Sequence, residues 1–164
     1  NSIDEIFNKI RFMIIACDCK WVVVDHLHML VSAIAEGDER RTIDNIMTRL
    51  RSIVEETGAG LILVSHLRRV DGNKGHENGI EVSLSHLRGS QSIAQLSDCV
   101  IGLERNQQAE DIDEANTTRL RILKSRYTGE VGLAGRLFYE RETGRLRELA
   151  KEDYEDDSTD ELEL

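Results

Sequence analysis

Two short apolar runs bracket a long, capped helix pattern, and that alternation restricts the fold more than any other feature of the chain. The first run is residues 20–24, KWVVV, and the second is residues 60–65, GLILVS. Neither alternates polar with apolar residues, so each reads as a fully buried strand. Between them Asp38 can cap a helix with the apolar stripe Ile43, Ile46, Met47, Leu50, Ile53 and Val54, which Gly58 closes. Ser2 with Glu5 forms a capping box before an earlier stripe, Ile3, Ile6, Phe7, Ile10, Met13 and Ile14. A short helix around Ser90 to Ser97 leads into a third buried run, Cys99 to Glu104. Helix, strand, helix, strand, helix, strand implies an α/β fold with a mostly parallel sheet and flanking helices.

After that the pattern changes. Residues 67–82 carry Gly72, Gly75 and Gly79 and read as a mobile loop, and residues 106–117, NQQAEDIDEANT, read as a polar loop. Thr118–Ser125, Arg136–Glu140 and Leu146–Leu149 alternate, with turns at Thr128-Gly129 and Thr143-Gly144. Antiparallel strands should therefore occupy the C-terminal end.

A chain of 164 residues suggests one domain with a real core. No apolar run reaches the ~18 residues of a membrane span, and the N-terminus has no signal-peptide core. Cys17, Cys19 and Cys99 are odd in number and lack metal-ligand spacing, so a reducing compartment, the cytoplasm, is expected. Of the net charge of −10, residues 151–164 contribute −7, from eight acids and one base. That tail reads as disordered, either solubilising or suited to a basic partner, and the rest of the chain is close to neutral. The absence of Met at position 1 suggests a piece of a longer chain.

In parallel sheets ligands sit at the carboxyl ends of the strands. Asp25 follows the first run directly, where an acid can hold Mg²⁺ or simply cap a loop. His66 follows the second run, where it could sense a terminal phosphate or be an ordinary half-exposed histidine. The segment HLRRVDGNKGHENG carries Arg68, Arg69 and Lys74 among glycines, which suits phosphate-backbone contact or a solvated surface. Lys124 and Arg126 lie two apart at a strand end, so they should share one face. An arginine finger on a transferring phosphate uses such a pair, as does a plain exposed edge. None of the twelve glycines precedes a lysine, so the phosphate loop that a nucleotide site of this kind needs is not in these residues.

The ordered segments WVVVDH, GDERRTIDNIMTRLRSIVEETG, LILVSHLRR, LRGSQSIAQLSDCVIGLERNQQ, ILKSRYTG and GRLFYERETGRL closely resemble one family over residues 1–149. It is the carboxyl-terminal half of the hexameric primase-helicases of podophages, relatives of bacterial DnaB and mitochondrial Twinkle. The resemblance implies a RecA-like P-loop NTPase motor that lacks its N-terminal part, followed by a disordered acidic tail at 150–164. It implies a hexameric or heptameric ring that hydrolyses ATP or dTTP with Mg²⁺, moves 5′ to 3′ on single-stranded DNA and unwinds duplex. Asp25 would match the Walker B aspartate on Mg²⁺, and His66 the histidine that contacts the γ-phosphate. Arg126 would be the arginine finger, with Lys124 beside it, and Arg105 and Tyr139 would flank the nucleotide base. Arg68, Asn73 and Lys74 would lie in one DNA-contacting loop, and Arg88, Gly89, Ser90 and Gln95 in the next motif.

Two departures stand out. The family's DNA loop often carries more lysines than this one, where Gly72 and Asn73 occupy part of it. The phage relatives end an acidic tail with an aromatic residue that helps dock the polymerase, whereas this tail ends Leu162-Glu163-Leu164. Docking of a replicative DNA polymerase would then rest on charge. A fragment without the first strands should expose apolar faces and aggregate. Two other functions use the same residues: a RecA-like recombinase or loader that coats DNA as a filament, and a non-catalytic interaction domain that works through its acidic tail.

Overall fold

The computed structural model describes residues 3–32, 38–69, 75–89 and 91–150. Ser2 of the expected capping box, Asn73, Lys74, Ser90 and residues 151–164 lie outside the described residues. The chain divides into two compact units, Asn1–Arg68 with Ser85–Asp98, and Arg69–Leu84 with Cys99–Leu164. Among the described residues no helix is long and apolar enough to cross a membrane.

The first unit contains α1 (Ile3–Ile15), β1 (Trp21–Val24), α2 (Leu27–Ser32), α3 (Glu39–Thr57), β2 (Gly60–Leu63) and α4 (Ser92–Leu96). Helix α3 begins where Asp38 accepts a hydrogen bond from the Arg40 amide, and it ends at Gly58, whose φ of 69° only glycine adopts without strain. Its stripe Ile43, Ile46, Met47, Leu50 and Ile53 is buried against Phe7 and Ile10 of α1, Leu27 and Leu30 of α2 and Ile93 of α4. Each such side chain contributes about 1.5–3 kcal/mol, so α3 is the element on which this unit is organised. Arg49 of α3 lies 4.0 Å over the Phe7 ring and pairs with Asp4 at 2.7 Å, which ties α1 to α3 on the solvent side.

Strands β1 and β2 pair in parallel, Trp21 with Gly60 through Val24 with Leu63. The expectation that both are fully buried is corrected. Val22, Val24, Leu61 and Leu63 belong to the core or pack against it. Trp21, Val23 and Ile62, on the alternate positions, are at least half exposed. A run of apolar residues without alternation can leave one face uncovered, and the pattern alone does not say which.

The second unit is a four-stranded antiparallel sheet in the order β3 (Cys99–Arg105), β4 (Thr117–Ser125), β5 (Gly132–Glu140), β6 (Arg145–Glu148). The third apolar run therefore does not extend the parallel pair, as expected, but heads this antiparallel sheet. The turns at Thr128-Gly129 and Thr143-Gly144 fall as read, with Gly129 at φ 72° and Gly144 at φ 69°. The polar segment 106–117 is not all loop, because α5 (Ile112–Asn116) forms within it, capped by Asp111. Glu104, at the end of the apolar run, is only 3% exposed. Its carboxylate accepts from Arg121 Nε at 2.6 Å, from Arg121 Nη2 at 3.4 Å and from the Val82 amide at 2.9 Å. A buried carboxylate with three donors is satisfied, and it fastens Val82 and its flanking loop onto β3 and β4.

Candidate functional site

The carboxyl ends of β1 and β2 lie side by side because the two strands are parallel and in register. The pairing continues one step past them: the Val64 amide donates to the Val24 carbonyl at 3.0 Å, and the Leu27 amide to the Val64 carbonyl at 2.8 Å. Asp25 follows β1 with an exposed carboxylate, and its peptide bond to His26 is cis. The same alignment brings His26 and His66 together, with ring centroids 4.0 Å apart. His28, in the first turn of α2, adds a third imidazole, 5.6 Å from His66 and nearly parallel to it. Burial, then the charges of Arg88 and His66, hold His28 below the usual histidine range, against the pull of Glu39.

Beyond His66 the chain forms a short antiparallel ladder with the segment that contains Arg88. Leu67 bridges Leu87. The Arg68 amide donates to the His86 carbonyl at 2.8 Å, and the Arg88 amide to the His66 carbonyl at 3.4 Å. Arg68 Nε also donates to the Ser85 carbonyl at 2.9 Å. The backbone of His66 is thus bonded directly to that of Arg88, and both arginine side chains are exposed. Gly89 has φ 107°, and a Cβ there would run into Ile43 Cδ1. Its glycine is explained by turn geometry and packing on α3. Gln95 is exposed on α4 while Ile93 of that helix is buried.

Lys124, Arg126, Arg105 and Tyr139 belong to the second unit. Lys124 is in β4, but Arg126 falls after the strand ends at Ser125, in the turn where Ser125 Oγ accepts from the Thr128 hydroxyl at 2.8 Å. The expectation that the two share a strand face is corrected, since strand alternation stops before Arg126. Arg105 pairs in register with Thr118, and Thr118 with Leu137, two residues from Tyr139. Residues two apart on a strand share a side, so Tyr139 is on the same side of the sheet as the Arg105 position. Arg105 Nε donates to the Ala115 carbonyl at 2.7 Å, at the end of α5. Arg105 also lines a cavity of about 670 Å³ together with Arg119, Arg136, Phe138 and Arg147, and Tyr139 is not among its walls.

Sequence reasoning passed over His26, His28 and Glu104. The signal for the first two was the spacing His-Leu-His directly after a strand-end aspartate. Glu104 closes a run read as a buried strand, and its partners Arg121 and Val82 lie far from it in the sequence.

Residues 1–148 match the family described as DnaB-like helicase C terminal domain. The chain is similar to the DNA helicase/primase of Enterobacteria phage T3, 43% identical over 143 residues, which is 87% of this chain and 25% of that protein. It spans a quarter of the length of that curated relative. Among solved structures it is similar to a DnaB-like replicative helicase whose interactions with primase were described. That likeness has a TM-score of 0.74 and 24% identity, and covers 92% of this chain and 36% of the other. A KaiC-like protein of Pyrococcus horikoshii OT3 gives a TM-score of 0.61 and 16% identity, covering 90% of this chain and 57% of the other. The last two likenesses show a shared RecA-like fold.

Proposed function

We propose, from the fact that this chain belongs to the DnaB-like helicase C-terminal domain family, that the protein is the motor of a replicative DNA helicase. It couples hydrolysis of ATP or dTTP to 5′-to-3′ movement on single-stranded DNA, and so to unwinding, as a hexameric or heptameric ring. Residues 1–149 are assigned to the motor. Residues 150–164 are assigned to an acidic tail whose charge suits a basic partner such as a replicative DNA polymerase. The observation that carries the reading is the ladder joining His66 at the end of β2 to Arg68 and Arg88. Under this reading His66, assigned to the terminal phosphate, shares a backbone hydrogen bond with Arg88, assigned to the DNA backbone, and coupling requires such a link.

Asp25 fits Mg²⁺, because an exposed carboxylate at a strand end is the single protein ligand that this ion accepts beside waters and phosphate oxygens. Bound Mg²⁺ would neutralise charge on the β- and γ-phosphates. The chain's own residues do the rest. His66 reports the terminal phosphate through its carbonyl's bond to the Arg88 amide, so that a shift at one is felt at the other. Arg126, exposed in its turn, reaches a neighbouring subunit's phosphate as the finger, with Lys124 beside it. Arg105 and Tyr139 hold the base, while Arg68, Asn73, Lys74, Arg88, Gly89, Ser90 and Gln95 line the path of the strand.

The test is hydrolysis by the intact protein with and without single-stranded DNA, together with its assembly state. Arg126→Ala should abolish DNA-stimulated turnover and leave ring assembly, seen by native mass spectrometry, unchanged. Normal turnover in that variant removes the finger assignment. An intact protein with no DNA-stimulated hydrolysis removes the whole reading.

A further inference from the structure

We propose that His26, His28 and His66 form a binding site for a late first-row divalent cation, with Zn²⁺ as the occupant. Each residue offers a ring nitrogen, and the three atoms lie within 4.8 Å of one another. Zn–N bonds of about 2.05 Å at a tetrahedral angle need nitrogens about 3.4 Å apart. Closure therefore draws the nitrogens closer together. His26 follows β1, His28 lies in the first turn of α2 and His66 lies three residues past β2, and backbone pairing aligns the two strands.

The polar inventory points the same way. Buried imidazole nitrogens ordinarily have hydrogen-bond partners. Here His26 Nδ1 and both nitrogens of His28 have none among the described residues. Glu39, whose carboxylate is 4.0 Å from His28 Nε2, adds negative charge beside the cluster. Arg88 opposes a cation, and it sits 3.6 Å from the same carboxylate, which partly offsets its charge. Imidazole donors favour Zn²⁺, Cu²⁺ and Ni²⁺ over Mg²⁺, so this site is chemically distinct from the carboxylate of Asp25. Three protein ligands leave a fourth position for water or an anion oxygen.

The site has a consequence that does rest on the helicase reading, although the binding itself does not. A cation on His66 withdraws that side chain from phosphate, so Zn²⁺ would inhibit DNA-stimulated hydrolysis.

The experiment is titration of Zn²⁺ into the intact protein by calorimetry with excess Mg²⁺ present, and of Co²⁺ as a spectroscopic probe. The wild type should bind one Zn²⁺ per chain at this site and give a tetrahedral Co²⁺ absorption. Loss of an outer-shell partner alone weakens metal sites about 10–100-fold, so removing a ligand in His28→Ser should weaken Zn²⁺ by more than about 100-fold. The same variant should keep its hydrolysis and lose its sensitivity to Zn²⁺. His28→Gln serves if the serine variant does not fold. Equal Zn²⁺ affinity in wild type and variant overturns the proposal, because the ligands would then lie elsewhere in the chain. Absence of saturable binding to the wild type also overturns it. Binding without inhibition leaves the site standing and counts against the role given to His66.

Discussion

Replacing Arg121 with alanine should loosen the second unit. Glu104 would keep only the Val82 amide as donor, with its side chain 1% exposed and an ionised carboxylate still buried. Removing one partner of a buried ion pair typically costs about 3–5 kcal/mol. Arg121 is itself 20% exposed, so water can enter the space it leaves, and the expected cost falls to about 2–4 kcal/mol. Glu104→Gln should cost less, about 1–2 kcal/mol, because it removes a charge and keeps an acceptor for Val82. Arg121 in that variant still has Glu81 at 3.2 Å. The double variant should cost less than the sum of the singles, since neither then leaves a buried charge behind. Hydrogen exchange of the intact protein at the Val82 amide reads the effect locally, and urea unfolding reads it globally. An Arg121→Ala cost below about 0.5 kcal/mol would refute the reasoning, since surface changes typically fall in that range.

Other expectations concern the first unit. Asp38→Ala removes the cap of α3 and should lower stability by about 1 kcal/mol, seen as earlier melting of that unit in hydrogen exchange. Gly89→Ala forces a non-glycine residue to φ 107° against the fully buried Ile43, at a cost of about 1–3 kcal/mol. It should impair DNA-stimulated hydrolysis through folding, so a melting temperature equal to wild type would contradict that account. Leu50→Ala, at a position 2% exposed, should cost about 2–5 kcal/mol in urea unfolding.

Local signals wrote much of this molecule directly. Asp38 and Gly58 mark the ends of α3 because a cap and a left-handed terminus depend on single residue types. The positions of Asp25 and His66 at strand ends follow from the lengths of two apolar runs, and the turns at Gly129 and Gly144 from glycine's freedom at positive φ. Long specific segments such as LRGSQSIAQLSD and LERNQQ carried the family, and the match over residues 1–148 agrees.

What periodicity could not decide was who pairs with whom. The stretch Cys99–Leu103 is uncharged like β1 and β2, yet it opens an antiparallel sheet, because pairing is a contact between distant residues. Val23 and Ile62 read as core and stand exposed, since burial depends on what covers a face. Glu104 closed a run read as buried, and Arg121, seventeen residues on, makes burial of its carboxylate possible. The spacing His26-Leu27-His28 was legible, but it did not show that His66 joins them. Strand register brings His66, forty residues on from His26, within ligand distance of the other two, and no spacing along the chain encodes that.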